Sequence, residues 1–136
     1  MLVDVSQSVL ETIDRGFLLT VLGRLRSAWR RTRVFFFDTD LREVSDSLDA
    51  TSPAAAVAAL EDAQAEWGGG TRIGAAIETL RTEYADAVDR RATVLIVSDG
   101  LERGDVERLS TAAAWLSGRA GRVLWLNPLA ADEQWR

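Results

Sequence analysis

Apolar residues recur every four positions along the first third of the chain, at Val9, Ile13, Phe17, Val21, Leu25 and Trp29. That spacing marks one face of a helix and predicts a long amphipathic helix over 9–29. The short apolar start Met1-Leu2-Val3 runs into Asp4 ahead of it and reads as a brief first strand. Arg33 to Phe37 is a continuous aromatic and β-branched run, the signature of a strand buried on both faces. Leu41 to Val44 is expected to pair with it through the turn Asp38-Thr39-Asp40. Ser52-Pro53 should open an Ala-rich helix, with Ser52 as cap and Pro53 at its first position, ending at Trp67-Gly68-Gly69-Gly70. The next helix carries Ile73, Ile77, Leu80 and Tyr84 on its inner face. Thr93 to Val97 is the plainest buried strand, and it ends in Ser98-Asp99-Gly100. Asp105 is placed to cap a helix with the stripe Val106, Leu109, Ala113 and Leu116; Arg122 to Leu126 forms the last strand. Strands alternating with helices of this length predict an α/β fold, with a mainly parallel central sheet and helices on both faces.

Composition narrows the chemistry more than the fold. Among 136 residues there is no Cys, no His and no Lys, and every basic residue is Arg. Thiolate zinc sites, disulfides, His-based triads and Schiff-base or Walker-type lysines are thereby excluded. Carboxylates and hydroxyls remain, and these hard oxygens suit Mg²⁺, Mn²⁺ or Ca²⁺. A formal charge of −5 argues against a nucleic-acid partner. The one basic run, Arg24, Arg26, Arg30, Arg31 and Arg33, reads as a solvated helix end. No apolar run is long enough to span a bilayer, so no membrane partner is expected, and the Cys-free composition fits a cytoplasmic location.

Three separated segments place oxygen ligands at one edge of such a sheet. Asp4-Val5-Ser6-Gln7-Ser8 follows the first strand, Thr71 opens a helix after the triple glycine, and Asp99 follows the strand 93–97. Open α/β sheets bind ligands beyond the carboxyl ends of their strands, where the strand order reverses. The alternation Asp4-x-Ser6-x-Ser8 lets a turning loop direct three side chains inward, and the glycines give Thr71 a flexible approach. Two carboxylates and three hydroxyls match a cation that takes about six oxygens and keeps some waters.

These residues resemble the metal-ion-dependent adhesion site of von Willebrand factor A (VWA) domains. Longer stretches are similar to the CoxE-like branch: Trp67-Gly-Gly-Gly-Thr-Arg-Ile-Gly74, Val97-Ser-Asp-Gly100 with Arg103-Gly-Asp105, and Trp125-Leu-Asn-Pro-Leu129. The resemblance covers nearly the whole chain. It implies a three-layer Rossmann-like fold, one VWA domain over 1–136, lacking the start of strand one and the last strand and helix. It further implies that Ser6, Ser8 and Thr71 contact the metal while Asp4 and Asp99 act largely through waters and hydrogen bonds. The remaining position then takes a Glu or Asp carboxylate from a protein partner. CoxE-like proteins resemble accessory factors of MoxR-type AAA+ ATPases in metalloenzyme maturation, which implies a binding module and not an enzyme.

Other readings of the same residues stay open. Asp4, Ser6, Ser8 and Thr71 suit turns and helix caps, and Asp99-Gly100 is a common turn pair. Phe35-Phe-Phe-Asp38-Thr-Asp40 has the outline of a haloacid dehalogenase-type phosphatase motif with Asp38 as nucleophile, although a hairpin turn explains it with less. Arg103-Gly104-Asp105 spells an integrin-recognition tripeptide and reads instead as the approach to a helix cap. Trp67 and Trp125 lie where they could ring the site. A structural VWA module with a vestigial metal site is the remaining alternative.

Overall fold

The computed structural model describes residues 1–29, 31–48, 53–67 and 70–130. Five strands form one sheet: β1 (Leu2–Asp4), β2 (Phe35–Phe37), β3 (Leu41–Glu43), β4 (Thr93–Val97) and β5 (Arg122–Leu126), in the order β3-β2-β1-β4-β5. β1 runs parallel to both β2 and β4, β4 parallel to β5, and only the β2–β3 hairpin is antiparallel. The α/β class, the mainly parallel sheet and the covering of both faces are therefore as expected.

Side-chain alternation along the strands divides the core in two. Val3, Phe36 and Val97 face one side, against Leu18 and Leu22 of α2 (Arg15–Ala28), Leu48 of α3 (Ser45–Leu48) and Leu60 and Ala63 of α4 (Pro53–Glu66). Leu2, Phe35, Phe37 and Ile96 face the other, against Ile73, Ile77 and Leu80 of α5 (Ile73–Glu83) and Ala112 and Leu116 of α6 (Val106–Arg119). The two-residue period of a strand makes this unavoidable once both faces carry helices. The three phenylalanines of β2 are buried as the apolar run predicts.

The long helix expected over 9–29 is two helices. α1 (Gln7–Thr12) ends where Ile13 turns extended, and Asp14 accepts the Phe17 N–H at 2.7 Å as the cap of α2. An Asp inside a helical pattern offers the backbone this alternative, and here it wins. The break rephases the helix. Leu18 and Leu22 turn inward, while Phe17 and Trp29, expected on the inner face, are 67% and 64% exposed. A similar shift affects α6, where Ala112 and Leu116 are buried and Val106 stands 70% exposed in the first turn.

The basic run also divides. Arg33 is no solvated helix end: its guanidinium meets Glu43 in two parallel hydrogen bonds of 2.9 Å, and reaches Asp86 at 3.1 Å. That pairing is the planar, forked geometry in which Arg binds carboxylates best. Arg26 donates to the Thr32 carbonyl. Arg30, the cap Ser52, and Gly68 and Gly69 lie outside the described residues.

Candidate metal centre

Strand order fixes where a ligand would sit. From β1 the chain moves outward to β2 and β3, then returns to lay β4 on the opposite side of β1. The reversal therefore falls between β1 and β4, and their carboxyl ends carry Asp4 and Ser98-Asp99. Loops leaving neighbouring parallel strands in opposite directions open a crevice at that point.

A chain of hydrogen bonds ties the crevice together. Asp4 Oδ1 accepts the Ser6 N–H at 2.9 Å, and Asp4 Oδ2 accepts the Ser98 hydroxyl at 2.7 Å. The Ser6 and Ser8 hydroxyl oxygens lie 3.2 Å apart, and Ser8 donates to Asp99 Oδ2 at 2.8 Å. Asp99 Oδ1 takes the Leu101 N–H, and the Ser98 hydroxyl takes the Gly100 N–H, each at 3.1 Å. Residues 91 and 94 positions apart in sequence are thus in direct contact. Asp4, Ser6, Thr71 and Asp99 are buried, whereas Ser8 lies open to the crevice.

Thr71 joins Ser6 and Ser8 at the cleft they line. Ser6, Ser8, Thr71 and Asp38 all line one cleft of about 680 Å³, together with Trp67, Arg15 and Arg103. The loop that presents Thr71 is held at both ends by backbone bonds, since its carbonyl accepts the Arg103 N–H at 2.9 Å and Arg72 N–H donates to the Asp38 carbonyl at 2.8 Å. Gly70 is required just before it. Its φ is +93°, and an added Cβ would come within 2.6 Å of the Arg103 side chain.

The capping explanation of these hydroxyls does not match their bonds. Ser6 occupies the cap position of α1, yet its side chain caps nothing. Thr71 stands before Arg72, the cap position of α5, and the α5 N-terminus is served from elsewhere: Glu102 accepts the Gly74 N–H at 2.9 Å. The Thr71 hydroxyl makes no hydrogen bond among the described residues. By contrast, Asp105 does cap α6, accepting the Glu107 N–H at 2.9 Å, which accounts for the Arg-Gly-Asp sequence.

Asp38 is the residue that local reasoning placed least well. It begins the β2–β3 turn as expected, but Asp40 supplies the turn's side-chain hydrogen bond, to the Leu41 N–H at 2.8 Å. The Asp38 side chain is 6% exposed, and its Oδ1 is buried with no hydrogen-bond partner. Burial, and then the charge of Asp4, push its carboxyl above the ordinary range. Asp4 is likewise raised, by burial first and by Asp99 as well, against the opposing pull of the Ser6 and Ser98 hydrogen bonds. Ser98 and Glu102 were also not singled out from sequence as positioning residues, although both lie in or beside Val97-Ser-Asp-Gly100.

The donor set fits a hard divalent cation. The side chains of Asp4, Ser6, Ser8, Thr71 and Asp99 offer only oxygens, carboxylate charge is crowded at the rim, and one buried carboxylate oxygen lacks a partner. No three acidic side chains among the described residues stand close enough to hold an ion by themselves, so hydroxyls and water would have to complete any shell. Trp67 lines the cleft with the Arg42 guanidinium over its ring at 5.3 Å, and Trp125 donates from Nε1 to the Ser98 carbonyl at 3.0 Å.

Comparison with known proteins agrees with this architecture. The solved structure of an aerotolerance-related membrane protein from Bacteroides fragilis, carrying multiple mutations to serines, matches with a TM-score of 0.52 at 18% identity. The match covers 93% of this chain and 63% of that one, and at such identity it speaks for the fold alone. No curated protein matches the sequence. The family model described as VWA domain containing CoxE-like protein matches residues 1–136, the full length given. With the strand order, the doubly covered sheet and this match in agreement, the chain belongs to the CoxE-like family of VWA domains.

Proposed function

We propose that this domain is a metal-dependent protein-binding module whose Mg²⁺, or Mn²⁺ or Ca²⁺ in its place, is held by Ser6, Ser8 and Thr71 with Asp4 and Asp99 behind them. The observation that carries this reading is the gathering of three hydroxyls, none of which caps a helix, at one cleft beside Asp99. A bound cation supplies Lewis acidity toward an incoming carboxylate. The chain's own residues do the rest. Ser98 and the Ser6 N–H fix the Asp4 carboxylate, the Leu101 N–H and Ser8 fix Asp99, and Gly70 lets Thr71 approach. Arg15 and Arg103 at the cleft wall offset Glu11 and Asp38 there and can meet an acidic visitor.

The partner would contribute a Glu or Asp side chain. The resemblance to CoxE-like accessory factors makes a MoxR-type AAA+ ATPase, acting in metalloenzyme maturation in the cytoplasm, the partner to test. Among the described residues no helix is long and apolar enough to cross a membrane. Retention of that ATPase by the purified domain should require Mg²⁺, and EDTA should release it. Retention that survives EDTA counts against a metal-bridged contact.

One observation favours a second reading. Asp38 lines the same cleft, where a phosphatase nucleophile would have to stand. Release of phosphate from an aryl phosphate, abolished in Asp38→Asn, is the result that would replace a binding role with an enzymatic one.

A further inference from the structure

Asp38 is an electrostatic liability that the fold does not relieve. The residue is only 6% exposed, and its Oδ1 has no hydrogen-bond partner. The charge that acts on it is another carboxylate, Asp4. A buried carboxylate oxygen without a donor costs a domain stability. Its surroundings explain neither its identity nor its placement. The turn's hydrogen bonds use the Asp38 backbone and the Asp40 side chain, so a Ser or Asn at 38 would serve the hairpin equally well.

Its position shows what would relieve it. β1 and β2 are in register with Asp4 beside Phe37, and the Val5 N–H donates to the Phe37 carbonyl at 2.9 Å. The residue after Phe37 therefore leaves β2 at the same rim where the Asp4–Ser8 loop leaves β1. Asp38 lines the same cleft as Ser6, Ser8 and Thr71, and the residue after Thr71 donates its N–H to the Asp38 carbonyl.

We propose that Asp38 is an additional anionic group of the metal site, coordinating the cation or accepting a hydrogen bond from a water the cation keeps, and that it raises affinity for the ion. This rests on the metal-binding reading above and extends it to a residue outside the five-residue motif. Its consequence is a third carboxylate whose charge acts on a doubly charged ion, through water and hydroxyls, since no three acidic side chains among the described residues stand close enough to hold the ion by themselves. That favours tight capture of the ion and lowers the residual positive charge offered to a partner's carboxylate. Arg15 and Arg103 on the same cleft supply positive charge that the ion no longer does.

The test is calorimetric titration of the whole domain with Mn²⁺ alone, comparing wild type, Asp38→Asn and Asp38→Ser, with metal-free melting of each. Loss of a group that steadies a metal's shell typically weakens binding about 10- to 100-fold. Both variants should therefore bind Mn²⁺ at least fivefold more weakly, while their metal-free melting temperatures equal or exceed that of wild type, because a crowded buried charge has been removed. A purely structural Asp38 predicts the reverse pattern, lowered metal-free melting with affinity changed less than fivefold, and that result overturns the proposal. The two readings fail differently. Wild-type protein that takes up no Mn²⁺ removes the metal site itself, whereas wild type and both variants binding alike removes only the role of Asp38.

Discussion

Ser98 holds one end of the site without facing the cleft. Its hydroxyl donates to Asp4 and accepts from the Gly100 N–H, and the residue is fully buried. Ser98→Ala leaves the Asp4 Oδ2 and the Gly100 N–H without this partner, so it should cost about 1–3 kcal/mol of stability. Urea denaturation in EDTA checks this; a loss below about 0.5 kcal/mol would show that Asp4 finds another donor. The residue-level pattern was largely readable in the sequence. Asp4, Ser6, Ser8 and Asp99 were singled out as oxygen ligands after strands, and hydrogen bonds now link them. Asp38 was not, because an Asp in a tight turn has a sufficient local explanation. Only the β1–β2 register, a long-range fact, shows that its side chain has somewhere else to go.

Elements carry the loops to their places, and close packing between them is exposed to test at Gly74. A Cβ on Gly74 would stand 2.8 Å from the Leu109 nitrogen and 2.9 Å from its Cα, so α5 and α6 touch backbone to backbone there. Gly74→Ala must push the two helices apart and should cost about 1–3 kcal/mol, read as a lowered midpoint in thermal or urea unfolding. Unchanged stability would mean that α6 shifts freely. Glu102 acts between the same elements: it accepts both the Gly74 and the Gly104 N–H groups and so fixes the loop after β4 to the start of α5. Removing it in Glu102→Ala should loosen the Thr71 and Asp99 loops together and weaken Mn²⁺ binding with little change in fold. Unaltered Mn²⁺ affinity would exclude that coupling. Strands and most helices were legible from periodicity. The break at Asp14 was not, because the four-residue spacing of apolar positions continues straight through it, and only the capping bond to Phe17 decides that the helix restarts.

For the whole molecule, the crowded carboxylates set a dependence on pH that the cation should alter. In the metal-free protein Asp4 and Asp38 titrate above their ordinary values, mainly through burial. The folded chain therefore holds protons that the unfolded chain has already released. The resulting penalty is full above their folded-state values and fades as pH falls through them toward about 4. Glu43 works the other way. Its hydrogen bonds to Arg33 lower it, so its stabilisation is present above the unfolded value and is lost as pH falls through its folded one. Burial lowers the Met1 amino group to about 6, which costs stability as pH falls and so opposes the relief at Asp4 and Asp38. In EDTA the melting temperature should therefore fall less than in Mg²⁺ as pH is lowered from 7.5 to about 5. In excess Mg²⁺ it should fall over the same range, because protons compete with the ion for the same oxygens. Parallel curves with and without Mg²⁺ would contradict a cation shared by these groups.

Direct measurement of the ion decides the central claim. Wild-type domain titrated with Mn²⁺ in a calorimeter should take up one ion per chain, and Asp99→Ala, folded by circular dichroism, should take up none. Wild type that binds no Mn²⁺, or an Asp99→Ala variant that binds it with undiminished affinity, would contradict a metal centre at the switch point between β1 and β4.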